Sequence, residues 1–316
     1  MIRTFLTKKH IHRILLFCLV FTLANVSLAC NKKTSSITEI HIYTRDAASG
    51  TRQGFETEIG LNGGLSDQAS EVASNGEMIN RIDRDLNGIG YVSLVSILKE
   101  DNLRALPYNG IEPSVEAAIS GEYTLTRPFS YTTRAAGDYD SDEKEQLIRA
   151  FVVFLTESTE GLEAVLDAGG IVDVTAGCPW DELKSDHPIV NQDNGHIEIR
   201  TGGSTSVERT VRTALETFQV YAGNVQFTLD QTGSSDGWLR VLGNEKDGPN
   251  AKDIGFASRE FQNKENTKNA IASGIFCRDA IAVVVNAENG YINTATRNQL
   301  HAIFSGAINK WTKLES

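Results

Sequence analysis

Three short stretches of this chain share one composition, small hydroxyl residues and glycines placed between an apolar run and a segment with helical spacing. They are "AASGT" at 47–51, "GGSTS" at 202–206 and "GSSDG" at 233–237. The first lies inside "RDAASGTRQGFE", with Arg45 ahead of Ser49 and Arg52 directly after Thr51. The leading N–H groups of a helix have no partner within the helix, and the aligned peptide dipoles leave partial positive charge there. Small residues let an oxyanion approach those N–H groups, Ser and Thr hydroxyls add donors, and a guanidinium adds a charged planar fork. The chemistry on offer is therefore reversible capture of an oxyanion. Each turn alone also reads as an N-cap, where Ser and Thr are favoured; three together, with two arginines, point to an anion.

Other chemistries fit less well. There is no G-x-x-x-x-G-K-[ST] run, so a nucleotide P-loop is excluded. A serine nucleophile needs a base beside it, and His41, on the preceding strand, is the one histidine near a turn. His187, His196 and His301 are scattered without metal-ligand spacing. No enzyme, metal or cofactor is expected.

The formal net charge is −11 over 316 residues. Such a balance argues against a nucleic-acid surface and against general attraction of anions, so any anion site must be built locally. The N-terminus is a separate segment. Arg3, Lys8, Lys9 and Arg13 precede the apolar "ILLFCLVFTLANVSLA", which ends in small residues before Cys30. That is the pattern of a signal peptide over 1–29, and its apolar run falls short of the roughly 20 residues of a membrane span. "SLAC" is similar to a bacterial lipobox, which implies cleavage and lipidation at Cys30, with 30–36 as a polar tether. Removing the leader takes away basic residues only and leaves the mature chain still more acidic. Cys178 and Cys277 remain; an exported compartment permits them to pair, and two buried thiols are the alternative.

The elements that must position the turns read as two blocks. In the first, "ITEIHIYTR" alternates like a strand, "SGTRQGFETEIG" opens a helix, "EVASNGEMINRIDRD" reads as another, and "GIGYVSLVSI" as a buried strand. A long amphipathic helix follows from about Ser141 to Thr156, with Leu147, Ile148, Phe151, Phe154 and Leu155 on one face. Residues 173–196 lack a period and collect Gly, Pro, Asp and Asn, marking a connector. The second block runs strand, "GGSTS" turn, and a helix whose apolar face is Val207, Val211, Ala214, Leu215 and Phe218, then a strand, "GSSDG" turn and helix.

At this level of detail a resemblance emerges. "RDAASGTRQGFE", "NGIGYVSL" and "NGIEPSVEAAISGEYTLTRPFSYTT" resemble one half of the phosphate-binding protein of bacterial phosphate ABC importers; "GGSTSVERTV", "GSSDGW", "DIGFASRE", "AIAVVVNAENG" and "LHAIFSGAINKWTKLES" resemble the other. The halves stand in reverse order, which implies a circular permutation with the connector joining the old ends. The resemblance implies an α/β, two-lobed fold like that of periplasmic binding proteins, with hinge crossovers at "TRPFSYTT" and "AIAVVVN" and the ligand in the cleft. Lobe one would combine 37–130 with 286–316, and lobe two would run from 134 to 284 with the connector inside it. It further implies inorganic phosphate as ligand, held by Arg45, Ser49, Gly50, Thr51, Thr205, Ser206, Ser234 and Ser258, with Arg259 as a further candidate. The protein would be a monomer, lipid-anchored on the outer side of the cytoplasmic membrane, handing phosphate to the permease of an ABC importer. Well-known family members carry a proton-accepting aspartate where "DIGFASRE" has Ser258, so another oxyanion, sulfate or a phosphonate, stays open, with Asp46, Asp236 and Glu260 as stand-in acceptors. A surface adhesion or sensing role on the same fold is the further alternative.

Overall fold

The computed structural model describes residues 38–61, 63–97 and 101–314. The expected signal peptide, Cys30 and the expected tether lie outside the described residues. Nine strands form the order β2-β1-β3-β9-β5-β8-β6-β7, with β4 paired to β9. They are β1 (His41–Arg45), β2 (Ser70–Val72), β3 (Gly88–Ser93), β4 (Leu103–Ala105), β5 (Thr126–Thr133), β6 (Glu198–Gly203), β7 (Gln226–Gln231), β8 (Ile254–Ala257) and β9 (Ser273–Asn286).

The order is palindromic. On one side β1 lies parallel between β2 and β3, and on the other β6 lies parallel between β7 and β8. The antiparallel strands β5 and β9 pair with each other between the two sets. Two apolar cores match this division. One gathers Ile40 to Leu125 with Ala280 to Trp311, and the other gathers Phe129 to Cys277. The molecule is thus two-lobed, and β5 and β9 pass from one core to the other between Leu125 and Phe129 and between Cys277 and Ala280. The stretch "TRPFSYTT" is β5 itself.

Local sequence accounts for the main helices. Helix α1 (Gly50–Glu58) is capped by Ser49, and Phe55 pins it to lobe one by stacking on Tyr91 at 4.0 Å, edge-on to Phe304 at 4.7 Å. Helix α2 (Asn75–Asp83) is capped by Ser74, and the short helix α3 (Val115–Ser120) by Ser114. The long amphipathic helix is α4 (Asp142–Glu157), whose predicted apolar face is buried, with Ser141 accepting from the Lys144 N–H. It is followed by α5 (Thr159–Asp167). The connector is more ordered than its composition predicts: it holds the one-turn helix α6 (Trp180–Leu183) and 3₁₀ turns, because the fully buried Trp180 sits edge-on to Phe154 at 5.3 Å and faces His187. Helix α7 (Glu208–Tyr221) buries four residues of the predicted apolar face, and the fifth, Val207, is buried at its N-cap. Short helix α8 (Ser234–Leu239) and helix α9 (Arg297–Phe304) complete the set.

Two expectations change. "EVASNGEMINRIDRD" is not one helix: its first residues belong to β2, and the helix begins only at Asn75. Cys178 and Cys277 are both free, Cys178 exposed and Cys277 buried, rather than bonded or both buried.

Helix α8 lies directly on β8 with no side chain between them. A Cβ on Gly255 would stand 1.7 Å from the Gly237 carbonyl oxygen, and one on Gly237 would stand 2.4 Å from that of Phe256. This contact holds Ser234, at the start of α8, close to Ser258, just past the end of β8. Gly255→Ala must therefore push helix and strand apart, at a cost of about 1–3 kcal/mol or more, seen as a lowered melting temperature. Gly290→Ala, where a Cβ meets no atom within 4 Å, should stay within about 0.5 kcal/mol of wild type; equal melting temperatures for the two variants would refute the packing role.

Candidate functional site

In parallel α/β sheets, ligands gather at the carboxyl ends of the strands. Here six parallel strands, three in each lobe, bring their carboxyl ends together. β1 ends in Arg45 and leads to Ser49, Gly50 and Thr51; β2 leads to Ser74 and Asn75; β3 ends in Ser93. In the other lobe β6 leads to Ser204, Thr205 and Ser206, β7 to Ser234 and β8 to Ser258. Bonds across the lobes join them: the Gly50 N–H donates to Ser234 Oγ at 3.3 Å, Thr51 Oγ1 and Ser206 Oγ lie 3.0 Å apart, and Asn75 Nδ2 donates to Ser206 Oγ at 3.0 Å. A Cβ on Gly50 would meet Ser234 Oγ at 2.7 Å and Ser258 Oγ at 2.8 Å, so the approach requires glycine.

Proton directions in this cluster run one way. Ser258 Oγ accepts from Arg127 Nη1 at 3.2 Å and from Ser204 Oγ at 2.9 Å, and Ser204 Oγ accepts the Ser206 N–H at 3.2 Å. With both lone pairs engaged, Ser258 turns its own proton to Ser234 Oγ at 3.1 Å. Ser234 Oγ also faces the Ser258 N–H at 3.1 Å and the Gly50 N–H. Donors outnumber lone pairs on that atom. Every acceptor in the chain of contacts is a hydroxyl oxygen, so the cluster favours a guest made of acceptors, as an oxyanion is.

Two buried guanidinium groups flank the cluster. Arg45, 1% exposed, donates from Nη1 to Asn75 Oδ1 at 3.1 Å and from Nη2 to the Ala73 carbonyl at 2.9 Å. Its backbone N–H reaches the Tyr91 hydroxyl, which also contacts Thr44 at 2.7 Å and fixes the end of β1. Burial pulls the Arg45 pKa down, against the opposing pull of Asp46. The second is Arg127 on β5, paired with Asp279 on β9 at 2.9 Å. Burial drives both toward neutrality; the Asp279 carboxyl is pushed up to about 6, with Arg127 and Ser93 opposing the shift.

Arg259 is engaged elsewhere, giving Glu265 two hydrogen bonds at 2.6 and 2.8 Å and Ser235 a third at 3.3 Å. Arg52 braces the flank of α1 through Glu56 at 2.8 Å and Glu71 at 2.6 Å. Ser49 accepts the Arg52 N–H as an N-cap. Buried atoms without a hydrogen-bond partner include Arg45 Nε, Asp46 Oδ2 and Thr205 Oγ1, all in the turns that form the cluster.

Gly50, Thr51, Ser206, Ser234 and Ser258 thus meet in one network, with Arg45 joined to it through Asn75. Asn75, Ser204 and Arg127 join it without having been expected. Asn75 lies in "ASNGE", a fourth small polar turn between strand and helix, hidden because β2 has only three residues.

Comparison with known proteins agrees with this architecture. The model of the PBP superfamily domain matches residues 186–315. The phosphate-binding protein PstS 2 of Streptococcus agalactiae is 28% identical over 316 residues, covering 96% of this chain and 98% of that one. The protein of the same name from Streptococcus pneumoniae is 28% identical, over 91% of each chain. A crystal structure of a phosphate ABC transporter, phosphate-binding protein from Streptococcus pneumoniae superposes with a TM-score of 0.60 at 26% identity, covering 88% of this chain and all of that one. The chain is homologous to these phosphate-binding PstS-like proteins and shares the fold.

Arg45→Ala removes a buried charge and frees Asn75, whose oxygen then has no donor. Oxyanion binding in isothermal titration should weaken by about 2–5 kcal/mol while the melting transition remains cooperative. Unaltered affinity for inorganic phosphate would remove Arg45 from the site.

Proposed function

We infer that this chain is an extracytoplasmic solute-binding protein that captures inorganic phosphate and passes it to the permease of an ABC importer. The observation that carries this reading is the set of donors converging from both lobes on hydroxyl oxygens alone, in a chain homologous to phosphate-binding proteins. A ligand that accepts from Gly50, Thr51 and Asn75 on one side and Ser206, Ser234 and Ser258 on the other favours the closed form, since only the closed form presents both sets. Binding then requires no catalysis.

The anchor and the chain order complete the reading. Cleavage before Cys30 and its lipidation would hold the protein on the outer side of the cytoplasmic membrane. Its halves stand in circularly permuted order, an order that relatives aligning from end to end would share. One chain then contains both lobes and the full set of turns, so a monomer has one site.

Selectivity turns on one proton. Phosphate near neutral pH retains a proton that sulfate lacks, and a buried acceptor can distinguish the two. Ser258 accepts from Arg127 and Ser204 and has no lone pair left for that proton. Of the stand-in acceptors, Asp236 is engaged by Thr232 and faces Arg240 at 3.5 Å, and Glu260 is exposed. Asp46 Oδ2 is buried without a hydrogen-bond partner, beside Arg45. We assign it the phosphate proton. The donor-rich cluster also suits sulfate, the second reading.

Titration of the chain from Thr34 onward with phosphate and with sulfate at neutral pH separates these readings. One phosphate should bind per monomer; binding seen only in dimers would mean that halves are exchanged between chains. Asp46→Asn should lower the phosphate-to-sulfate affinity ratio by about tenfold, the worth of one hydrogen bond to a charged group. Ser258→Asp should raise the ratio where the new carboxylate escapes pairing with Arg127. Tighter binding of sulfate than phosphate by wild type would replace the first reading with the second.

A further inference from the structure

Arg127 and Asp279 are register partners on β5 and β9, in the short interval where both strands leave one core for the other. Their side chains are 3% and 0% exposed. Arg127 gives two N–H groups to Asp279 Oδ2, from Nε at 3.2 Å and Nη2 at 2.9 Å. Its third arm, Nη1, donates to Ser258 Oγ. On the far side Ser93 Oγ donates to Asp279 Oδ1 at 2.8 Å.

Ser93 and Ser258 occupy corresponding places in the palindromic sheet. "GYVS" brings β3 to Ser93, and "GFAS" brings β8 to Ser258. The ion pair between them treats the two hydroxyls oppositely. Ser93 spends its proton on a carboxylate and is turned away from the anion cluster. Ser258 receives a proton from a guanidinium and is left with its own to offer. Because Asp279 neutralises Arg127, the effect on the cluster is directional and adds little net charge.

We propose that Arg127 is a positioning residue of the anion site: by donating to Ser258 Oγ it fixes that hydroxyl as a donor to the bound oxyanion, while Asp279 holds the guanidinium in place. This rests on the reading of the site as an oxyanion receptor. Lysine at 127 keeps the charge, but an ammonium has no planar fork with which to hold Asp279 and reach Ser258 together. A dependence on Ser258 is what distinguishes positioning from general support of the fold.

The test is calorimetric titration with inorganic phosphate of wild type, Arg127→Lys, Ser258→Ala and the double variant. Arg127→Lys should lose about tenfold or more in affinity, Ser258→Ala should lose a similar factor, and the double variant should be no weaker than Ser258→Ala alone. Full affinity in Arg127→Lys, or a further equal loss when it is added to Ser258→Ala, overturns the proposal. Should Arg127→Lys fail to fold, Arg127→Met with Asp279→Leu removes both charges together, a replacement that folds tolerate, and carries the same expectations with and without Ser258→Ala. Absence of phosphate binding by wild type would instead defeat the receptor reading on which the proposal stands.

Discussion

Buried hydrogen-bond donors need acceptors, and where the two lobes meet this chain gathers donors on hydroxyl oxygens that are already occupied. Ser234 Oγ alone faces the N–H groups of Gly50 and Ser258 and the hydroxyl of Ser258. Much of the structure serves that condition. The palindromic sheet turns six strand ends toward one place, the contact of Gly237 with Gly255 keeps Ser234 beside Ser258, and the Phe55–Tyr91 stack fixes α1 on its own lobe, from which the Gly50 N–H reaches Ser234 of the other. In the proposed receptor role, an acceptor-rich guest relieves the imbalance and joins closure to binding.

The arginines show how context assigns roles to identical side chains. Arg45, Arg127 and Arg259 are all buried. Arg259 is consumed by Glu265, Arg127 divides its arms between a carboxylate and a hydroxyl, and Arg45 is tied to neutral acceptors and keeps Nε unpartnered. Only the last spends its hydrogen bonds on neutral acceptors, with the carboxylate of Asp46 at 3.6 Å.

Helices α4 and α7 were legible because their apolar faces recur over several turns, and the turns at Ser49, Ser204 and Ser234 because small hydroxyl residues sit between a strand and a helix. Strands β2 and β4 were not, since three residues are too few to show alternation. That loss concealed the turn carrying Asn75. Arg127 was hidden for a different reason: its contact with Ser258 spans 131 positions of sequence, and nothing local to "TRPF" signals a partner so distant. The connector misled in the opposite sense, because one buried tryptophan orders a stretch whose composition is that of a loop.

The palindromic order also decides which strands lie outermost. They are β2, with its three residues and Glu71 tied to Arg52, and β7, whose Asp230 is bridged by Arg240 and Lys252 at 3.1 Å each. An unpaired strand edge is a template on which a second chain can add itself, and brevity and charge are among the features that spoil the template. Each rim of this sheet carries at least one of them, while the long, apolar β9 lies at the centre, paired with β3, β4 and β5. The apolar run of β9 from Ala280 to Val285 is thereby kept buried and out of reach of a second chain.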